Sequence, residues 1–385
     1  PANFGNEARE QTLMAAKKAG LNVDYIIDEP TAAALYFAFD NETELHGNYV
    51  VYDLGGGTFD VSIIHVAGQD VNVLASNGIA KLGGDDFDRV LISILKEKYK
   101  QETGKEVNDD LFYTLNMAEN DKKALSRSSK CIAGGDEVME ADIQLTRKDF
   151  EKGISSLLAQ TEMLCEATLT EANIDIDEIS DIILVGGSTR IPAVKESIKR
   201  VFKKEPIVSH NVDEMVSLGA SLYAALKSDR KGMNSMQKQS LRQIKVADVA
   251  NKCFGTIALV YNQSKQQEEL TNTIMIHKNT KLPVSISKEF FSSHDGQTEL
   301  SLTITESVSP ETDPRFVKTI WSDKLLELPP DRPEGQKFIF TYSYDENQKM
   351  HVEFKDDDTG KKIEVNIDLD IKATADSEID KFLVD

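Results

Sequence analysis

The stretch that decides the fold is Val50–Val61, with the sequence VVYDLGGGTFDV. An apolar strand ends here in an acidic residue, three glycines and a hydroxyl, and a second strand begins at once. Because glycine has no Cβ, backbone N–H groups in such a loop can turn inward and approach a polyphosphate closely. Asp53 and Asp60 flank the loop, and acidic oxygens beside phosphate suggest magnesium held largely through water. The alternative is a glycine-rich hairpin that only turns the chain.

A second glycine-rich junction favours the phosphate interpretation. Ile182–Val185 is a short apolar run typical of a buried strand, and it leads into Gly186–Pro192, with the sequence GGSTRIP. Pro192 then opens a helix with apolar residues at helical spacing. A strand, a loop of small residues and a helix N-terminus together form a natural site for a nucleoside and its phosphates. Two such junctions in one chain predict one shared cleft.

Together with Asp28–Ala34 (DEPTAAA), these residues resemble the Hsp70 family. The resemblance covers nearly the whole chain and is strongest before about residue 225. Further matching stretches are Leu82–Asp88, Glu119–Ser126 and Asn211–Glu214.

The resemblance implies an α/β actin-like (ribonuclease H-like) ATPase domain, partial, followed by an antiparallel β-sandwich that binds peptides. It predicts a nucleotide-binding domain at 1–227, comprising part of lobe I and lobe II, and a linker at 228–249. A β-sandwich substrate-binding domain without a helical lid would occupy 250–385.

The resemblance also assigns a site for ATP and Mg²⁺. Glu29, Thr58 and Asp53 are the expected catalytic residues, and Asp53, Glu29 and Asp60 the expected metal-side residues. The expected nucleotide-binding residues are Gly55, Gly56, Gly57, Thr58, Gly84, Glu119, Lys122, Lys123, Ser126, Gly186, Gly187, Ser188, Arg190 and Asp213.

From the residues alone, two of these motifs have simpler interpretations. Glu119–Ser126 has the pattern of an exposed charged helix face, and Asp213 that of an acidic residue at a helix start. The family commonly has an arginine where Lys123 stands, and an ammonium group cannot stack flat on adenine as a guanidinium does. We therefore expect weaker packing against the base.

The last third of the chain shows strand alternation. Apolar side chains recur at every second position in Phe338–Tyr344 and in Met350–Phe354, which is a β-sandwich signature. By resemblance, Leu259, Phe290 and Leu300 line an apolar peptide groove, although each is equally suited to a core. Thr256 departs from the family, which usually has an aliphatic residue there.

Composition excludes several functional classes. The 385 residues have a formal net charge of −21, which disfavours nucleic-acid binding because phosphate contacts need clustered Lys and Arg. The three cysteines are far apart in sequence and favour neither a disulfide framework nor a zinc site. No apolar run is long enough to predict a membrane span, and we expect a cytoplasmic protein.

Several features suggest a fragment of a longer protein. The chain begins at Pro1 without an initiator Met, so the family's first phosphate loop and catalytic lysine would lie upstream. It stops at Asp385, soon after the predicted sandwich, where the family continues into a lid. The family's leucine-rich linker is matched only by Ile244–Val249, which Lys245 interrupts. We therefore expect weak hydrolysis, with interdomain coupling in question.

The sequence predicts an Hsp70-type chaperone that uses ATP to control the binding of unfolded or extended polypeptides. A J-domain co-chaperone and a nucleotide exchange factor are the partners that the resemblance implies. One alternative is a non-hydrolysing nucleotide-binding co-chaperone or holdase, as in Hsp110-like and ribosome-associated relatives. Another is a sugar kinase or filament-forming member of the actin-like superfamily, which the terminal β-sandwich does not fit.

Overall fold

A computed structural model provides the structure of the chain. It describes residues 1–23, 25–40, 45–68, 70–106, 113–134, 142–207, 212–228, 232–235, 245–263, 266–325, 327–345 and 348–367. The helices are α1 Asn6–Lys18, α2 Glu29–Asp40, α3 Gly84–Thr103, α4 Leu115–Arg127, α5 Arg147–Gly153, α6 Ser155–Ala172, α7 Pro192–Phe202 and α8 Met215–Lys227. The strands are β1 His46–Leu54, β2 Phe59–Ala67, β3 Asp70–Ile79, β4 Lys130–Ile132, β5 Gln144–Thr146, β6 Ile179–Val185, β7 Lys245–Ala247, β8 Cys253–Asn262, β9 Gln267–Ile276, β10 Val284–Phe291, β11 Leu300–Ser307, β12 Lys318–Leu325, β13 Lys337–Tyr344, β14 Met350–Asp356 and β15 Lys362–Ile367.

The chain divides into two compact units. The first comprises Pro1–Phe4 and Ile27–Asn251, and the second comprises Gly5–Ile26 and Lys252–Asp385. Helix α1 therefore belongs to the second unit, whereas β7, from the stretch predicted as a linker, belongs to the first.

A five-stranded mixed sheet organises the first unit, with strand order β6-β1-β2-β3-β7. Strands β1, β2 and β3 are antiparallel neighbours, while β6 runs parallel to β1 and β7 parallel to β3. Asp53 on β1 lies opposite Asp60 on β2 and beside Val185 at the end of β6. Both glycine-rich loops therefore begin at the same end of the sheet, where the parallel strands β1 and β6 finish.

Helices cover both faces of this sheet, which explains why β1, β2 and β6 contain runs of consecutive buried residues. Val50 and Tyr52 pack into the core cluster that includes residues of α3, α6 and α7. Val51, between them, packs on the opposite face with residues of α2. The mixed α/β character predicted from the sequence is therefore found here.

Helix α2 lies unusually close to α8. A Cβ built on Gly219 of α8 would come within 1.8 Å of the Ala32 carbonyl oxygen of α2, so the two backbones touch directly. Ala32, at this contact, and the neighbouring Ala33 and Ala34, which pack in the cluster beside the sheet, are all fully buried. The apolar and small-residue sequence of α2 is thus explained by packing from all sides.

Two four-stranded antiparallel sheets form the second unit, with orders β10-β13-β14-β15 and β12-β11-β8-β9. The predicted alternation appears in β13 and β14, whose apolar side chains are buried at every second position. The Tyr342 hydroxyl of one sheet donates to the Gly255 carbonyl of the other at 2.9 Å. Trp321 stacks on Phe354 across the same interface, with ring centroids 5.7 Å apart. The two sheets therefore pack through their apolar faces.

Candidate functional site

The loop between β1 and β2 forms the first glycine corner. Its turn is closed by the Gly55 N–H, which donates to the Thr58 carbonyl at 3.1 Å. The start of α3 is bound to the same loop, because the Gly84 N–H donates to the Gly55 carbonyl at 3.0 Å. A Cβ on Gly83 would lie only 2.4 Å from the Gly56 carbonyl oxygen. Glycine at position 83 is therefore required for this close approach.

The loop after β6 forms the second glycine corner. Gly186 has φ +84°, a left-handed conformation that favours glycine, and a Cβ there would lie 2.4 Å from the Leu54 carbonyl oxygen. A short 3₁₀ helix, Gly187–Arg190, follows. The Ser188 hydroxyl donates to the Gly55 carbonyl at 2.9 Å. This hydrogen bond joins the two corners directly.

Both corners line one cleft of about 730 Å³. That volume falls in the range of about 300 to 1,000 Å³ usual for small-molecule and cofactor sites. The cleft is lined by Gly55, Gly56, Gly84, Asp85, Glu119, Lys122, Lys123, Ser126, Arg127, Gly187, Ser188, Arg190, Ile191, Lys195 and Asp213. The shared cleft predicted from the two glycine-rich loops is thus present.

The structure brings most of the predicted nucleotide-binding residues to this cleft. Gly57, Thr58 and Gly186 lie in the two corners but are not among the lining residues. The sequence analysis missed the lining residues Asp85, Arg127, Ile191 and Lys195. Asp85 and Ile191 belong to motifs that the sequence analysis had recognised. Nothing in the sequence indicated that Arg127 and Lys195 line a site, apart from their positions near helix ends.

Charged pairs form two walls of the cleft. On α4, Lys123 and Glu119 form an exposed i,i+4 pair at 2.7 Å. The Arg190 guanidinium forms an ion pair with Asp213, and both side chains are more than half exposed. Because such exposed pairs contribute little to stability, these side chains are available to a ligand at low cost.

Lys122 differs from these residues because it is buried. Its ammonium donates to the Gly84 carbonyl and to Asp88 Oδ2, each at 2.9 Å. Burial raises the pKa of Asp88 despite the contact with Lys122, and the negative charges of Glu119 and Asp85 raise it further.

Carboxylates gather beside the first corner. Burial raises the pKa of Asp53 to about 7, and the charges of Glu29 and Asp60 add to the effect. Burial likewise raises the pKa of Asp60 to about 7, although the Asn3 N–H donates to its Oδ1 at 3.0 Å. Within the described ranges, no three His, Cys, Asp or Glu side chains come together closely enough to hold a metal ion directly.

The predicted groove residues lie on three strands of the second unit. Leu259 on β8 is 49% exposed and lies opposite Leu270 on β9, which is 60% exposed. Phe290 on β10 is half-buried and stacks on Phe340, with ring centroids 4.4 Å apart. Leu300 is half-buried at the start of β11.

Thr256, the departure from the family pattern, is buried. Its hydroxyl lies 3.3 Å from the Thr303 hydroxyl. The side chain is therefore part of a polar contact between β8 and β11.

Comparison with known families gives one match over the full length. The sequence model of the family described as "Hsp70 protein" matches residues 1–385. Separately, none of the helices in the described part of the chain is both long and apolar enough to cross a membrane.

Proposed function

Because the chain belongs to the Hsp70 family, and so shares its actin-like ATPase fold, we propose that it is a chaperone that uses ATP to control its hold on unfolded polypeptides. The observation that supports this most is the meeting of two glycine corners at one cleft, joined by the hydrogen bond from Ser188 to Gly55. The proposed ligand is ATP with Mg²⁺.

The charge distribution suggests how ATP would lie. The glycine loop at Gly55–Thr58 suits the phosphates, because a backbone without Cβ atoms allows them to approach closely, and the dipole of α3 adds a favourable field at its N-terminus. Arg190 offers a planar surface to the base, and Lys123 on α4 offers only its aliphatic stem and a point charge. We infer that the base packs mainly against Arg190.

The acidic residues fit a hydrated divalent cation. Asp53 and Asp60 are buried carboxylates whose charged forms are disfavoured at neutral pH, so a cation beside them would offset an existing electrostatic cost. Because they do not converge with Glu29 into a direct metal site, we propose that they hold Mg²⁺ through water, as this ion often retains its hydration. When bound, Mg²⁺ would neutralise phosphate charge.

We propose that Asp53, Glu29 and Thr58 orient the water that attacks the terminal phosphate. Such reactions depend chiefly on positioning and charge stabilisation. Asp53 and Asp60 flank the first glycine corner and Asp85 lines the cleft beside it, so negative charge lies close to the proposed phosphate site. We therefore propose slow hydrolysis by these 385 residues, measurable as the single-turnover rate.

The two packed sheets of the second unit are the proposed peptide-binding β-sandwich. Leu259 and Leu270 form an exposed cross-strand apolar pair, which is the type of surface that an extended peptide covers. The peptide would add main-chain hydrogen bonds while an apolar side chain packs near Leu259, Phe290 and Leu300.

The test combines nucleotide and peptide binding. Calorimetry should show Mg²⁺-dependent ATP binding, and a fluorescent apolar peptide should dissociate faster when ATP is added. Leu259→Ser should weaken peptide binding and leave ATP binding intact, because Leu259 lies outside the cleft. Absence of ATP binding at millimolar concentration would refute the proposal.

A holdase that binds nucleotide without cycling is the second candidate. The buried Thr256 hydroxyl favours it, because a polar contact occupies a position where the family usually has an aliphatic side chain. Peptide release that is unchanged by ATP, although ATP binds, would support the holdase.

We further propose that a J-domain co-chaperone and a nucleotide exchange factor act on the chain in the cytoplasm. None of the three cysteines forms a disulfide, and Cys165 and Cys253 are buried, which suits a reducing compartment. Stimulation of single-turnover hydrolysis by a J-domain protein tests the first partner, and faster ADP release tests the second.

A further inference from the structure

Lys122 and Asp88 form an ion pair inside the wall of the cleft. The Lys122 ammonium lies 2.9 Å from Asp88 Oδ2, and the two side chains are only 9% and 4% exposed. The next residue on α4, Lys123, pairs with Glu119 at 2.7 Å, but those side chains are 60% and 44% exposed. Of two adjacent lysines that line the cleft, one is thus fixed and desolvated and the other is solvated.

The fixed ammonium lies at the junction of the two glycine corners. It donates to the carbonyl of Gly84, whose own N–H is bound to Gly55. A Cβ on Gly84 would lie 3.0 Å from the Lys122 ammonium and 2.8 Å from the Ser188 hydroxyl. The Lys122 ammonium therefore lies where the two corners meet, within reach of both the nucleoside and the phosphates of a bound nucleotide.

Stability alone does not explain this pair. Asp88 Oδ1 is buried and has no hydrogen-bond partner in the described part of the protein. An unsatisfied buried carboxylate oxygen costs free energy, and apolar residues often replace a buried ion pair without loss of stability. A role in ligand binding accounts for the charged pair better than a packing role does.

This inference rests on the proposed nucleotide site. We propose that Asp88 is a positioning residue of that site: it holds the Lys122 ammonium against the Gly84 carbonyl and cancels its charge. Lys122 then supplies a fixed hydrogen-bond donor to the nucleoside part of the nucleotide and no free cation to its phosphates. The site selects nucleotides over free polyphosphate, because phosphate alone finds no unpaired charge on Lys122.

The first test replaces the lysine. Binding of ATP, adenosine and inorganic triphosphate is measured by calorimetry at low and high salt, for the wild type and Lys122→Met. We expect ATP and adenosine to weaken by a similar factor, about threefold to tenfold, with the salt dependence of ATP binding unchanged, since a cancelled charge has little to screen. A loss confined to ATP and triphosphate, with a flatter salt dependence, would show Lys122 to be a free cation and overturn the proposal.

The second test frees the lysine. Asp88→Asn should raise the affinity for inorganic triphosphate about tenfold and steepen its salt dependence, because the ammonium charge is no longer cancelled. The same substitution should have no effect on triphosphate binding in a Lys122→Met background. Equal weakening of all three ligands, or an effect that persists without Lys122, would indicate a merely structural role and refute the proposal. If Asp88→Asn fails to fold, Lys122→Met and the double variant decide.

Glu162→Gln is the matched control. It removes a carboxylate from a partly exposed ion pair with Arg200, outside the cleft. All three affinities should stay within about twofold of the wild type. A wild-type chain that binds neither ATP nor adenosine would refute the proposed function itself. If the wild type binds ATP but Asp88→Asn leaves the affinity for triphosphate unchanged, only the role of Asp88 is refuted.

Discussion

Gly83→Ala is expected to weaken nucleotide binding strongly by moving apart the two elements that form the phosphate end of the cleft. The new Cβ would lie 2.4 Å from the Gly56 carbonyl oxygen and 2.6 Å from the Gly57 nitrogen. Both are backbone atoms, so no side chain can rotate to make room. Restoring a normal separation of about 3.5 Å requires a displacement of about 1 Å between this loop and the start of α3.

The energetic cost follows from that displacement. Inserting a methyl group into a closely packed site usually costs about 1 to 3 kcal/mol, and the movement also disturbs the hydrogen bond from the Gly84 N–H to Gly55. If most of this cost falls on the bound state, ATP affinity should drop about 10-fold to 100-fold. The melting temperature should change much less than ATP affinity, because the rest of the sheet is untouched.

Titration calorimetry with ATP and Mg²⁺ measures the affinity, and thermal unfolding without nucleotide measures the stability. Gly232→Ala is the matched control, because a Cβ there meets no atom within 4 Å and Gly232 does not line the cleft. The reasoning fails if Gly83→Ala binds ATP as tightly as Gly232→Ala does.

Three further predictions concern stability. The pKa values of Asp53 and Asp60, raised to about 7 from an ordinary 3.8, mean that the folded chain binds more protons than the unfolded chain between about pH 4 and 7. Without Mg²⁺ the melting temperature of the wild type should therefore be higher at pH 6 than at pH 8, and this difference should be smaller in Asp53→Asn. A melting temperature of the wild type that does not change with pH, or the same change in Asp53→Asn, would contradict the prediction. Gly219→Ala would place a Cβ 1.8 Å from a backbone oxygen of α2. It should lower the free energy of unfolding, measured by urea denaturation, by about 3 kcal/mol or more. A change below about 1 kcal/mol would count against the contact between the two helices. Arg332→Met leaves the fully buried Asp356 without its bidentate partner and should cost about 3 to 5 kcal/mol in the second unit, measured by tryptophan fluorescence, with loss of less than 1 kcal/mol as the contrary result.

Local sequence signals predicted the cleft well because its geometry is encoded in short stretches. Glycines at 55–57 and at 186–187 follow strands directly, so their position at the end of the sheet could be inferred from the sequence alone. The alternation of apolar and polar residues in β13 and β14 can also be seen within each short stretch. The buried side chains are found at every second residue, as that pattern predicts.

Two features of the structure were not predicted from the sequence. Lys245–Ala247 lies in the stretch predicted as a linker, which stays a prediction, and it forms β7 beside β3, a strand that the sequence did not indicate. β7 forms because it pairs with β3, which is far away in the sequence. Nothing in a three-residue segment that contains a lysine indicates such a partner. The ion pair between Lys122 and Asp88 was also missed because it joins residues distant in sequence. The two residues are 34 positions apart, and neither motif alone indicates that they are in contact.

The contact between Gly219 and Ala32 joins two helices that begin beside different groups of the predicted site residues. Helix α2 begins at Glu29, on the acidic side, and α8 begins two residues after Asp213, which pairs with Arg190. Since backbone touches backbone where these helices cross, neither can slide without displacing its neighbour. Displacement of Asp213 at the start of α8 would therefore strain the backbone contact with α2, the helix that carries Glu29.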